Sequence, residues 1–200
     1  MSDVIGRLHG AFVFDRRIQA IARVLSDWLP AGRVLDYGAG NGALGALLMD
    51  MRPDVQIVGV DVHLRPHTQI PMAAFDGVSL PFSNATFDAT ICVDVLHHID
   101  EPGTTMQELK RVTRGSILVK DHFYRGHIER MVLLAMDWVG NKSHGVYLPY
   151  NYFTRAAWES MVEAVGLREM RRIEEVPGQY PPWAQQLLGR NIQFVAHLIR

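Results

Sequence analysis

The stretch VLDYGAGNGALG, residues 34–45, constrains this chain more than any other. A short apolar run, RVLDY, gives way to Gly38, Gly40 and Gly42. Leu44, Leu47, Leu48 and Met51 then follow at helical spacing, and Pro53 closes the segment. A buried strand, a glycine turn and a helix make the opening unit of an α/β sheet, and glycine lets a ligand approach the backbone with no Cβ in the way. Gly40, Gly42 and Gly45 also spell G-x-G-x-x-G, a dinucleotide spacing that is weak by itself. Asp36 qualifies it, because a carboxylate beside this turn repels a pyrophosphate and attracts a cation. A nucleotide-like ligand with a cationic end is the expectation.

The rest of the chain continues the alternation. VQIVGVDV (55–62), PMAAFDG (71–77), FDATICVDVL (87–96) and SILVK (116–120) read as strands two to five, with a helix over TTMQELKRVT (104–113). HLRPHTQIPM, between strands two and three, is too short and too rich in Pro for a full helix, so one covering helix is expected to be missing. Upstream, DRRIQAIARVLSDWL places Ile18, Ile21, Ala22, Leu25 and Leu29 on one face, with Asp15 as the expected N-cap. Downstream, Thr154 caps a helix whose stripe is Trp158, Met161, Val162 and Val165, and Gly166 ends it. LREMRRIEEV (167–176) and NIQFVAHLIR (191–200) read as two last strands, joined by a connection that can return antiparallel.

This pattern predicts an α/β fold with a mostly parallel sheet, helices on both faces and ligand at the carboxyl ends of the strands. Residues 1–200 are expected to form one domain. Residues 1–30 supply an N-terminal helix and either a lid carrying His9, Phe12 and Phe14 or an ordinary flexible terminus. Residues 121–153 form an insertion.

Composition narrows the class. The chain has 48% hydrophobic and 20% charged residues and a net charge of −1, which describes a globular protein without the basic footprint of a duplex binder. The single cysteine, Cys92, excludes an intramolecular disulfide and a Cys-based zinc site. The most apolar helix, IERMVLLAMDWVG (128–140), is shorter than the ~20 residues a bilayer requires, and the N-terminus has no secretory pattern. A cytoplasmic, soluble protein without stable membrane insertion is expected.

VLDYGAGNG, GVDV, AFDGVSLPFSNATFDATICVDVLHHIDEP and ELKRV together resemble the class I S-adenosylmethionine-dependent methyltransferases. The nearest branch is the type 11 methyltransferase domain, which includes ubiquinone/menaquinone-type enzymes. The likeness runs from about residue 33 to 120, and NYFTRAAWESMVEAVGL is similar to the family's late helix. It implies a Rossmann-like three-layer sandwich whose seven-stranded, mostly parallel sheet has the order 3-2-1-4-5-7-6, the last strand being antiparallel. It implies S-adenosyl-L-methionine as cofactor and S-adenosyl-L-homocysteine as product. Asp36, Gly38, Gly40 and Gly42 would surround the methionine part. Asp61 and Val62 would hold the ribose, Asp76 and Gly77 the adenine, and Val93 and Asp94 would border the sulfonium. The family's paired glycines before strand five are reduced here to Gly115, which shortens a loop remote from the cofactor.

Methyl transfer requires an oriented nucleophile and, where that nucleophile is protonated, a base. The ends of strands four and five offer Asp94, His97, His98, Asp121, His122 and Tyr124. His97 and His98 serve either acid/base chemistry or the framework of the pocket. Asp121 and His122 are candidate bases or substrate ligands, with capping of the following helix as the alternative for Asp121. Tyr147, Tyr150, Tyr152 and Phe153, with His144, are candidates to line a pocket for a small apolar or aromatic acceptor. No third ligand joins Asp94 and Asp121 at a recognisable spacing, so no metal is expected. Nucleic acid is not an expected partner, since VDVL stands where an NPPY-type loop would be; a monomer or homodimer is expected. Two other classes stay open: a non-catalytic binding subunit on this fold, and an NAD-dependent oxidoreductase.

Overall fold

Seven strands assemble in the order β3-β2-β1-β4-β5-β7-β6, the arrangement implied by the resemblance. The computed structural model describes residues 2–141, 149–181, 185 and 192–200, with side chains from residue 15 onward except 137 and 139–141. Strands β1 (Gly32–Tyr37), β2 (Val55–Asp61), β3 (Met72–Ala74), β4 (Phe87–Val93) and β5 (Thr113–Asp121) pair in parallel. β7 (Phe194–Ile199) runs antiparallel between β5 and β6 (Arg168–Ile173). Among the described residues no helix is long and apolar enough to cross a membrane.

The strand residues alternate between two cores, as period two requires. Val34, Ile57, Ala89, Ile91 and Leu118 face α1 (Ser2–Trp28) and α2 (Ala43–Met51), where Ile21, Ala22, Leu25 and Leu48 meet them. Leu35, Val60, Cys92, Ile117 and Val119 face α3 (Pro102–Val112) and α5 (Arg155–Val165), where Met106, Leu109 and Trp158 are fully buried. Burying each such side chain contributes roughly 1.5–3 kcal/mol, which makes these two layers the main source of stability. α5 keeps both expected caps: Thr154 Oγ1 accepts from Ala157 N at 3.1 Å, and Gly166 turns left-handed at φ 69°. Lys110 Nζ also donates to the Val165 and Gly166 carbonyls at 2.8 and 2.9 Å, tying α5 to α3.

The sequence expectations differ from the structure in three places that shape the site. Asp15 is not an N-cap, because α1 begins at Ser2 and carries Asp15 inside it. β4 stops at Val93 rather than running to Leu96: Asp94 takes a left-handed φ of 56°, and Leu96–His98 form a short 3-10 turn. α3 runs directly into β5 with no loop between them. The stretch from Val62 to Pro71 carries no helix, in line with the reading of that segment. The insertion supplies α4 (His127–Asn141), whose Leu133 packs with Tyr152 and Ile192 as a third small cluster.

Candidate active site

A cavity of about 550 Å³ opens at the carboxyl ends of β1 and β4. One half is bounded by the glycine turn and the start of α2. The other is bounded by the ends of β4 and β5, with Leu133 and Met136 of α4, Arg17 of α1 and Tyr180 on its walls. A smaller hollow of about 290 Å³ beside Trp158 and Arg168 lies at the amino end of β6, the far end of the sheet from the glycine turn.

The turn is built for close approach. Gly38, Gly40 and Gly42 all have positive φ, at 72°, 61° and 77°. A Cβ on Gly38 would come within 2.4 Å of Val95, whereas one on Gly40 would meet nothing within 4 Å. Gly40 lines the cavity, so that open space is part of it. Its amide donates to Asp61 Oδ2 at 2.9 Å, and Asp61 Oδ1 accepts from His63 N at 3.0 Å. Asp61 therefore ties the end of β2 to the turn.

Asp36 sits at the floor of this half, 3% exposed, and its Oδ2 has no hydrogen-bond partner among the described residues. Burial, and after it the Asp61 charge, pushes its pKa up to about 7. A buried carboxylate lining the same cavity as the open glycine turn fits a cation such as an ammonium, and it does not fit a pyrophosphate.

The other half is a charge network. Asp94 forms an ion pair with Arg17, accepts from Lys120 Nζ at 2.5 Å, and lies 3.5 Å from His122 Nδ1. Burial alone would raise the Asp94 pKa; the Arg17 and Lys120 cations outweigh it and hold the carboxyl well below the usual range. Behind it, His97 Nδ1 and Asp121 Oδ1 are 2.7 Å apart, with both side chains fully buried. The same Asp121 oxygen accepts from His122 N at 2.7 Å, so Asp121 serves the two histidines and does not cap α4. Burial raises the Asp121 pKa as well, but His97 and His122 pull it below the ordinary carboxylate value. His122 is pushed down to about 4, first by burial and then by Lys120, and is neutral at physiological pH. Donor atoms of His97, Asp121 and His122 lie within 4.8 Å of one another, close enough to share a cation. Lys120 already supplies positive charge there; Asp121 Oδ1 is shared by His97 Nδ1 and His122 N, while its buried Oδ2 has no partner among the described residues.

The structure brings together Asp36, Gly38, Gly40, Val93, Asp94, His97, His98 and His122 around one cavity. Tyr152 is buried against it, its ring 5.5 Å from His97 and 6.3 Å from His122. Tyr124 and Tyr150 pack in the Leu133 cluster. Gly42 is buried behind the turn, where a Cβ would strike Ile70 at 2.6 Å. Val62 and Gly77 adjoin each other at the ends of the loops after β2 and β3, and Asp76 is exposed, its Oδ1 accepting from Val78 N and Ser79 N at 2.8 Å each. Those three lie outside the main cavity. His144 and Tyr147 fall outside the described residues, as do the side chains of His9, Phe12 and Phe14. Sequence reasoning missed Arg17 and Lys120. A lysine closing the apolar run SILVK was the one available signal.

A family model described as a methyltransferase domain matches residues 10–170. The chain is 29% identical to a demethylmenaquinone methyltransferase of Renibacterium salmoninarum over 147 residues, covering 65% of this chain and 61% of that protein. It thus spans less than two thirds of that relative. Among solved structures, the fold matches a methyltransferase chain from a Haloferax volcanii complex with the Trm112 methyltransferase activator, with a TM-score of 0.71, 13% identity, and 94% and 91% of the two chains covered. It also matches magnesium protoporphyrin IX methyltransferase from Synechocystis, solved with bound S-adenosylhomocysteine, with a TM-score of 0.61, 17% identity, and 91% and 83% covered.

Proposed function

We propose that this chain, which belongs to the class I S-adenosylmethionine-dependent methyltransferase family, transfers a methyl group to a small apolar or aromatic acceptor through an oxygen, carbon or nitrogen nucleophile. The observation that carries the reading is buried Asp36, whose Oδ2 has no partner among the described residues and which lines the same cavity as the open face of Gly40. An amino-acid ammonium would satisfy that oxygen and neutralise its charge, and Asp61 would hold the turn in register for it. When bound, S-adenosylmethionine supplies an electrophilic methyl group on a sulfonium.

The residues of this chain bind, orient and deprotonate. Leu133 and Met136 supply apolar walls for the acceptor and exclude water from the carboxyl end of β4. His97 lines the cavity with Asp121 held on its Nδ1, an arrangement that orients the imidazole and stabilises it once protonated. His97 is therefore the base in this reading, and Asp121 positions it. The demethylmenaquinone relative supports an acceptor of the quinol type.

The test is transfer of labelled methyl from S-adenosylmethionine to a panel of phenols, quinols and aromatic amines. His97→Asn should keep binding S-adenosylhomocysteine while transfer falls by about 10²–10⁴-fold. Unchanged transfer in that variant would remove His97 from the mechanism. Binding without transfer to any acceptor would favour a non-catalytic subunit.

A further inference from the structure

We propose that Lys120 is a positioning residue that decides which imidazole of the cluster can accept a proton: its ammonium fixes His122 as the Nδ1–H tautomer and so reserves the base role for His97. The proposal rests on the methyltransferase reading for its chemical meaning, but its geometry and its test do not.

Lys120 is the penultimate residue of β5 and its side chain is fully buried, an unusual place for a lysine. Its Nζ lies 2.5 Å from Asp94 Oδ1 and 3.4 Å from His122 Nε2. An ammonium has donors only. Facing it, His122 Nε2 must present its lone pair, which places the ring proton on Nδ1. That nitrogen lies 3.5 Å from Asp94 Oδ1 and 3.6 Å from Asp121 Oδ1, so a proton there sits in the field of two carboxylates although it is hydrogen-bonded to neither. In that tautomer the one basic nitrogen of His122, Nε2, faces a cation, which opposes its taking a second proton.

His97 has the opposite surroundings. Its Nδ1 faces Asp121 Oδ1 at 2.7 Å, a carboxylate that favours the protonated ring. Two adjacent histidines thus have different roles, set by the charge beside each. Among the described residues, the charged or titratable groups facing His122 are Lys120 and Asp121 on β5, Asp94 just after β4, His97 in the 3-10 turn, Tyr152 ahead of α5, and Arg17 of α1 through its ion pair with Asp94. Lys120 is the cation in direct contact with the ring.

The test is a pH titration of the imidazole nitrogens by long-range ¹H–¹⁵N correlation, with His97→Asn and His122→Asn used for assignment. In the native protein His122 should show the Nδ1–H pattern and stay neutral down to pH ~5. In Lys120→Met, which conserves length and apolar packing, it should titrate at least one pH unit higher. An Nε2–H tautomer in the native protein would overturn the proposal, as would a His122 titration that Lys120→Met leaves unmoved. The native tautomer decides the matter even if Lys120→Met does not fold. Neither measurement uses an acceptor, so loss of the methyl-transfer reading would leave these results standing.

Discussion

Lowering the pH from about 7.5 to about 5.5 should weaken binding of S-adenosylhomocysteine roughly 25-fold, and Asp36→Asn should abolish that dependence. The magnitude follows from the site. Burial foremost, and the Asp61 charge after it, raise the Asp36 carboxyl to about 7, against ~3.9 in an unfolded chain. An ammonium on Oδ2 requires the ionised form, so affinity is constant above the folded pKa and falls about tenfold per pH unit below it. At pH ~6 binding should therefore release roughly 0.9 proton, which calorimetry in two buffers of different ionisation enthalpy reads directly. The same shift acts on the ligand-free fold. Because the folded pKa lies above the unfolded one, the stabilisation from Asp36 is complete below pH ~4 and is lost as pH rises through about 7, a change of about 4 kcal/mol. Asp36→Asn should remove that slope from a plot of stability against pH. Equal pH dependence of binding in the native and Asn proteins would refute the assignment of Asp36 to the ligand's cation.

Three further substitutions separate ligand contact from framework. Gly40→Ala should cost about 1 kcal/mol of stability for its left-handed φ but weaken S-adenosylhomocysteine tenfold or more, because its Cβ enters the open cavity. Gly38→Ala should show the reverse emphasis, a larger loss of melting temperature from the clash with Val95. Trp158→Ala should lower unfolding stability in urea by about 3–5 kcal/mol while ligand affinity stays within about twofold. That residue is fully buried between Phe153 and Phe194, with Nε1 donating to Glu169 Oε2 at 2.8 Å.

What could be read from the sequence was local. The Asp36–Gly42 turn, the Thr154 and Gly166 caps and the strand–helix alternation all lie within short windows, where residue type and spacing fix the backbone. The histidine–aspartate cluster was legible as two short motifs, LHH and KDHFY, but not as a network. Its meaning depends on pairings such as Arg17 with Asp94, 77 residues apart, and Lys120 with Asp94, 26 apart. Periodicity carries no trace of such contacts. The end of β4 was misplaced for a related reason: VDVL is apolar enough to continue a strand, and the left-handed turn at Asp94 is imposed by partners from α1 and β5. The start of α1 was misplaced because Asp15 looks like a cap only when the preceding residues are taken as non-helical. Asp61 was read as a ribose acceptor; the structure adds that it tethers Gly40, a role that spacing alone does not reveal.

The central claim is that the glycine turn is built for a cationic methyl donor and not for a dinucleotide. Calorimetric titration of the native protein and Asp61→Ala with S-adenosylhomocysteine and, separately, with NAD tests it most directly. Micromolar binding of S-adenosylhomocysteine is expected, weakened at least tenfold once Asp61 no longer holds Gly40, with no binding of NAD. Binding of NAD with none of S-adenosylhomocysteine would contradict it.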